Sequence, residues 1–103
     1  MIKVEIIKDN TINSICIQGH AKYADYGKDI VCASVSSMLI FAINSIIAID
    51  SNAIIYEEKK DCIKIKNFGE NENVNTILNV LNKMLIELEN DYPKNIKIRE
   101  EEI

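Results

Sequence analysis

The layout of this chain is decided by residues 19–33, which read GHAKYADYGKDIVCA. Gly19-His20 follows a run of strand-forming residues, and a long apolar run begins directly after Asp29, so the segment links a strand to a helix through a polar loop. Asp29 is a typical N-cap, since its carboxylate accepts hydrogen bonds from the free amides of a first helical turn. This arrangement can bring His20 and Cys32 to the same end of the fold.

Period-two alternation and turn residues elsewhere in the chain predict five strands. The predicted strands are residues 2–7, 14–18, 53–57, 62–66 and a last strand from Ile96 that ends in the acidic tail Glu100-Glu101-Glu102. The first two form one predicted hairpin. The third and fourth form another, joined by Glu58-Lys59-Lys60-Asp61.

Two helices complete the pattern. The first is predicted from the Asp29 cap through Ile43 and on towards Ile49, with Asn44-Ser45 as a weak point. The second carries one apolar stripe at helical spacing and stops at Tyr92-Pro93. The stripe consists of Val74, Ile77, Leu78, Leu81, Met84, Leu85 and Leu88. The order ββαββαβ predicts an α+β fold, a two-layer single domain over residues 1–103, with two helices packed on a mostly antiparallel sheet.

Composition narrows the class of protein. A formal net charge of −4 disfavours a general nucleic-acid-binding surface, so no nucleic acid partner is predicted. The three cysteines, Cys16, Cys32 and Cys62, are an odd number without a C-x-x-C pair, which argues against a disulfide framework and favours a reducing, cytoplasmic location. One histidine and three scattered cysteines also lack the paired spacing of zinc sites. We therefore predict no metal and no cofactor.

Residues 30–49 contain no charged side chain and are about as long as a membrane span. Several polar residues interrupt the segment, and Asp29 and Asp50 flank it without the basic bias that sets membrane topology. The polar residues are Ser34, Ser36, Ser37, Asn44 and Ser45. We therefore predict no membrane contact and interpret the segment as a helix that is buried on most sides.

The thiol of Cys32 falls at the third helical position, where unpaired amides and the helix dipole favour negative charge on sulfur. His20 at the end of the neighbouring strand could act as its base or its imidazolium partner, although spacing alone does not force the contact. Asp29 could cap the helix, orient His20, or do both. Ser36 lies one turn after Cys32 and could contact substrate or thiol, or serve as a small packing residue.

The longer run GHAKYADYGKDIVCASVS resembles the signature of the ribosomal-processing cysteine proteases, the bacterial Prp family. The resemblance lies in Gly-His-Ala, then a Tyr and a Gly in the loop, then Asp-Ile-Val-Cys-Ala with serines beyond. It implies an endopeptidase that removes a short N-terminal extension from ribosomal protein L twenty-seven, cutting an apolar and aromatic sequence after a Phe. His20 and Cys32 would then form the catalytic dyad, with Asp29 and Ser36 in support.

The same resemblance implies a homodimer and a loop, roughly residues 21–28, that rearranges on substrate binding. Substrate-loop residues would be Gly19, Ala21, Tyr23 and Gly27. From the residues themselves, Gly19 suits a close backbone approach or a bulge, and Gly27 suits a hinge or an ordinary turn. Tyr23 could stack on substrate or cover the loop.

Two other functions fit parts of the sequence. A non-catalytic α+β dimer that docks on ribosomal or assembly proteins would explain the fold and the acidic charge, with Cys32 merely packed. A thiol redox sensor would need a resolving cysteine close by, and neither Cys16 nor Cys62 is adjacent to Cys32 in sequence.

Overall fold

The computed structural model describes residues 1–21, 23–25 and 28–103 of the chain. Within them, five strands and two helices follow the predicted order, which confirms the α+β class. The elements are β1 (Ile2–Lys8), β2 (Ile12–Gln18), α1 (Ile30–Ile49), β3 (Ile54–Lys59), β4 (Cys62–Asn67), α2 (Glu72–Asp91) and β5 (Ile96–Glu102).

The five strands form one sheet in the order β3-β4-β2-β1-β5. All neighbouring strands are antiparallel except β1 and β5, which are parallel. Alternate residues of the central strands are buried on one face, and they share a single core with the buried sides of both helices. Examples are Val4, Ile6, Ile15 and Ile65, each 1 % exposed or less. The helices therefore form one layer and the sheet the other.

Helix α1 continues without interruption through Asn44-Ser45 to Ile49, so the predicted weak point is not a break. It is long and apolar enough to cross a membrane by length and composition alone. Five of its side chains pack into the core instead, spaced along one side of the helix as Val31, Val35, Leu39, Ala42 and Ile46. The prediction of a helix buried on most sides is therefore wrong: α1 buries one side, and its opposite side leaves large apolar side chains exposed, notably Phe41 at 74 % and Ile40 at 61 %.

Helix α2 buries the stripe that the sequence predicts, and four of its leucine and valine side chains are at most 3 % exposed: Val74, Leu78, Leu81 and Leu85. Asn71 caps its start by accepting from the amides of Asn73 and Val74. Met84, which the pattern also assigns to the stripe, is 42 % exposed at the edge of that face. The helix ends at Asp91, one residue before Tyr92-Pro93.

The acidic tail is not separate from the last strand, because Glu100, Glu101 and Glu102 all lie within β5. Parallel pairing with β1 continues to the register pair Lys8 and Glu102. Glu100 accepts a 2.8 Å hydrogen bond from Asn82 and lies 3.3 Å from the Lys8 ammonium. The Asn82 bond first and the Lys8 charge with it lower the pKa of Glu100. These partners stabilise Glu100 in the strand, and backbone pairing with β1 continues through Glu101 and Glu102.

Candidate active site

The turn between β3 and β4 lies beside the end of β2, because β2 pairs with β4 up to the register pair Gln18 and Cys62. The Gly19 amide then donates to the Asp61 carbonyl at 3.0 Å. Gly19 itself has φ +92°, and a Cβ there would lie 2.5 Å from the Met1 carbonyl oxygen. Only glycine fits both the conformation and the space, so the chain can turn out of β2 and present His20 at the sheet end.

After His20 the chain folds back over the start of α1. The Ala21 amide donates to the Cys32 thiol at 3.3 Å, and Ala21 is 1 % exposed. Its carbonyl accepts from the Asn95 side chain at 3.0 Å, which ties the segment to the connection before β5. The residues next to His20 are therefore fixed against the thiol, which agrees with the interpretation that strand end and helix start meet.

Asp29 is the N-cap of α1, as the sequence predicts. One carboxylate oxygen accepts from the amides of Val31 and Cys32 at 3.0 Å each. The other accepts from the loop amides of Tyr23 at 2.9 Å and Ala24 at 3.4 Å. Burial acts to raise the pKa of the Asp29 carboxyl, but these four hydrogen bonds outweigh it and lower that pKa.

The contacts of Asp29 bear on two predictions. Its side chain bonds amides and makes no hydrogen bond to His20 among the described residues, so the orienting role predicted for it stays a prediction. The amides of Val31 and Cys32 donate to its side chain, and that of Ala33 donates to its carbonyl. The second prediction is that backbone amides at the helix start, near residues 30–33, are candidate oxyanion donors. Three of these amides donate to Asp29 in the described structure, and the role itself stays a prediction.

A groove of about 770 Å³ runs between the start of α1 and the β3–β4 hairpin. It contains five residues that the sequence singled out, namely Gly19, His20, Asp29, Cys32 and Ser36. Among the described residues no hydrogen bond joins His20 to Cys32, although both line this groove. Their predicted roles stay predictions, and the geometry supplies a shared cleft large enough for a peptide segment.

Two of the predicted substrate-loop residues lie outside the groove lining. Ala21 is buried behind the thiol, and Tyr23 packs edge-on against Tyr92 at 5.3 Å between ring centroids. Tyr23 therefore anchors the loop to the end of α2, which matches a covering role better than stacking on substrate. Gly27 lies outside the described residues.

The β3–β4 hairpin contributes groove residues that the sequence interpretation left out. They are Glu58, Lys59, Asp61, Cys62 and Ile63. Asp61 Oδ1 lies 2.9 Å from His20 Nε2, and both side chains are accessible to solvent. The local signal was weak, since an Asp in a charged turn is ordinary. Only the long-range pairing of β2 with β4 brings it to the histidine.

The other two cysteines contact each other. Cys16 Sγ and Cys62 Sγ are 3.9 Å apart across β2 and β4, and all three cysteines are free thiols. Burial, and next the neighbouring Cys62 thiol, raise the pKa of Cys16. The Cys32 sulfur accepts a hydrogen bond from the Ala21 amide. In this geometry neither Cys16 nor Cys62 acts as a resolving partner in contact with Cys32.

A helix-start thiol and a histidine that face one groove are typical of a cysteine peptidase. The profile of the family described as cysteine protease Prp matches residues 1–97. The ribosomal processing cysteine protease Prp of Staphylococcus aureus is 30% identical, over 95% of this chain and 97% of that protein. The Mycoplasma genitalium protein of the same name is 32% identical, over 98% and 97%. The chain therefore belongs to the Prp family of ribosomal processing cysteine proteases.

Solved structures agree. The Staphylococcus aureus ribosomal processing protease Prp with a covalently linked product peptide has a TM-score of 0.92 and 27% identity, covering 98% of this chain and 100% of that one. The same protease with a substrate peptide has a TM-score of 0.86 at 26% identity, with the same coverage. The whole two-layer domain is thus shared with a protease that binds peptides.

Proposed function

We propose that this chain is an endopeptidase that removes the N-terminal extension of ribosomal protein L twenty-seven, with Cys32 as nucleophile and His20 as base. The observation that carries the proposal is that His20 and Cys32 line the same groove. The Staphylococcus aureus relative is seen with a covalently linked product peptide, and a covalent intermediate is what a nucleophilic thiol forms with a peptide substrate. In this chain Cys32 is the thiol at the start of α1, and it lines the groove.

The proposed mechanism is acyl transfer. His20 takes the proton of Cys32, and the sulfur attacks the scissile carbonyl to form a tetrahedral intermediate. His20 then gives the proton to the leaving amine as the C–N bond breaks, which leaves a thioester. Water, deprotonated by His20, hydrolyses the thioester and restores the thiol. In this proposal Ser36 contacts the bound peptide, which its position in the groove lining one helical turn beyond Cys32 supports.

Incubation with the ribosomal protein that carries its extension tests this proposal. We expect one new N-terminus, at the junction after an aromatic residue, because the family resemblance implies a cut after Phe. Mass spectrometry of both fragments identifies the junction. The matched control is the same substrate with that aromatic residue replaced by Asp, which an apolar cleft should bind poorly. If the intact enzyme left the extension uncut, the proposed substrate would be wrong.

We further propose that the protein works as a homodimer in the cytoplasm, where its ribosomal substrate is made. The exposed side of α1 carries Ile40, Phe41 and Ile47, each at least 40% exposed. Large exposed apolar side chains on one helix face mark an interaction surface, and two copies of such a face can pack against each other about a two-fold axis. Three free thiols are consistent with a reducing compartment.

The dimer predicts a specific effect of charge on α1. We expect Phe41→Glu to convert a species of twice 11.7 kDa into one of 11.7 kDa, because a buried carboxylate at the centre of an apolar interface is costly. Light scattering after size-exclusion chromatography measures the mass. Phe68→Glu is the control, since Phe68 is also exposed, at 49%, but lies beyond β4. A wild-type protein that ran as a monomer would contradict the proposal.

A further inference from the structure

Asp61 occupies a backbone conformation that glycine would adopt without strain. It is the second residue of the two-residue turn between Lys59 and Cys62, and its φ is +61°. Among described non-glycine residues it is the one with positive φ. Asp and Asn tolerate this region better than other side chains, but both are strained there relative to Gly. A strained residue at the rim of a functional cleft points to a role for its side chain.

Both the backbone and the side chain of Asp61 contact the segment that carries His20. Its carbonyl accepts from the Gly19 amide at 3.0 Å, and its Oδ1 lies 2.9 Å from His20 Nε2. The first contact fixes the position of the turn relative to the backbone before His20. The second then aims the carboxylate at one particular nitrogen of the ring. Asp29, one of the other two carboxylates in the groove, bonds four amides instead, and Glu58, the second, has no ion pair with His20 among the described residues.

An ionised carboxylate only accepts hydrogen bonds, so the contact requires a proton on His20 Nε2. In the neutral imidazole the lone pair is then on Nδ1, the nitrogen that remains for the thiol. We propose that Asp61 is a positioning residue: it holds His20 in the Nε2–H tautomer, leaves Nδ1 to take the Cys32 proton, and stabilises the imidazolium that results. This inference rests on the proposed His20–Cys32 dyad.

His20 is the single histidine of the chain, so the imidazole nitrogen spectrum reports on this ring alone. At mildly alkaline pH we expect the ¹⁵N shifts of the wild-type protein to show Nε2 protonated and Nδ1 unprotonated. Asp61→Gly removes the carboxylate and suits the positive φ, so we expect a folded protein whose ring exchanges between both tautomers. A wild-type ring with the proton on Nδ1 would overturn the proposal without any activity measurement.

Kinetics give a second, graded readout. Asp61→Gly should lower kcat roughly 10- to 100-fold, as for other outer partners that orient a functional histidine, with KM nearly unchanged. Asp61→Asn keeps an acceptor and the tolerance for positive φ, so it should retain the tautomer and restore part of kcat. Glu57→Gln is the control, because it removes one charge from the same hairpin on the other face of the sheet, in register with Lys64.

The outcomes separate this inference from the proposed function. If Asp61→Gly matched Glu57→Gln in both kcat and ¹⁵N shifts, Asp61 would have no positioning role, whatever the dyad does. If His20→Ala kept its turnover, the dyad would be wrong, and the mechanistic part of the inference would fall with it. A tautomer change in Asp61→Gly together with a loss of kcat supports both.

Discussion

The Cys32→Ala variant is expected to leave the extended ribosomal substrate uncut, because residue 32 then has no sulfur to form the thioester. His20→Ala should retain Cys32 but lower kcat by about 10²- to 10⁴-fold, the usual contribution of a general acid–base residue. Single-turnover cleavage assays, read by mass spectrometry, measure both. A thioester intermediate should be trapped with wild-type protein and absent from Cys32→Ala.

Cys16→Ala is the matched control for that experiment. Cys16 is a partly buried thiol that contacts Cys62 across the sheet and does not line the groove, so its removal should leave cleavage near the wild-type rate. Near-normal turnover by Cys32→Ala or His20→Ala would show that the dyad is wrong. Loss of activity in all three variants would indicate a general effect of substitution on the fold rather than loss of a nucleophile.

The Gly19→Ala variant should lose both stability and activity. A Cβ at this residue would lie 2.5 Å from a backbone oxygen of Met1, which is not the flexible end of a side chain, and φ +92° adds strain. The strain alone costs about 1–3 kcal/mol, and relief of the clash would move β1 or the His20 segment. Urea unfolding measures the loss of stability, and kcat measures the displacement of His20.

Gly69→Ala separates the effect of a positive φ from the effect of the clash with Met1. Gly69 also has a positive φ, +81°, but a Cβ there would meet nothing nearer than the Thr11 hydroxyl at 3.4 Å. We expect a moderate loss of stability with kcat retained, since Gly69 is not part of the groove lining. Equal effects of the two substitutions on stability and kcat would show that the contact with Met1 is unimportant.

Much of the fold follows from local patterns in the sequence. The apolar stripe of α2 and the alternation in β1 and β2 each encode one face against the core, and burial of that face is what stabilises them. Asp29 could likewise be recognised as a cap from its place before an apolar run. The extent of α1 was harder to predict, because Asn44-Ser45 weakens helix propensity. Core contacts of Ala42 before this pair and of Ile46 after it maintain the helix.

The remaining features depend on residues far apart in the chain. Nothing local to β5 predicts that its glutamates pair alongside β1, because Asn82 and Lys8, which bind Glu100, come from other elements. The contact of Asp61 with His20 likewise follows from the β2–β4 register, across about forty residues of chain.

The family assignment also decides between the functions that the sequence left open. Membership in a family of cysteine proteases sets aside a purely non-catalytic binding module. A sensor based on Cys32 would need a second thiol in contact with it, and the described geometry pairs Cys16 with Cys62 instead.

The two carboxylate oxygens of Asp29 bind different segments, and this has a consequence for how the residues over Cys32 are released. One oxygen bonds the helix start and the other bonds Tyr23 and Ala24, so a single carboxylate links the loop to the helix cap through two separate sets of hydrogen bonds. The amides of Tyr23 and Ala24 can be released while the helix cap stays intact, but loss of the carboxylate charge weakens both sets of hydrogen bonds. The hydrogen bonds lower the pKa of Asp29, so that joint weakening requires a lower pH than an ordinary aspartate would. At neutral pH the amides of Tyr23 and Ala24 can be released while Cys32 stays where α1 holds it.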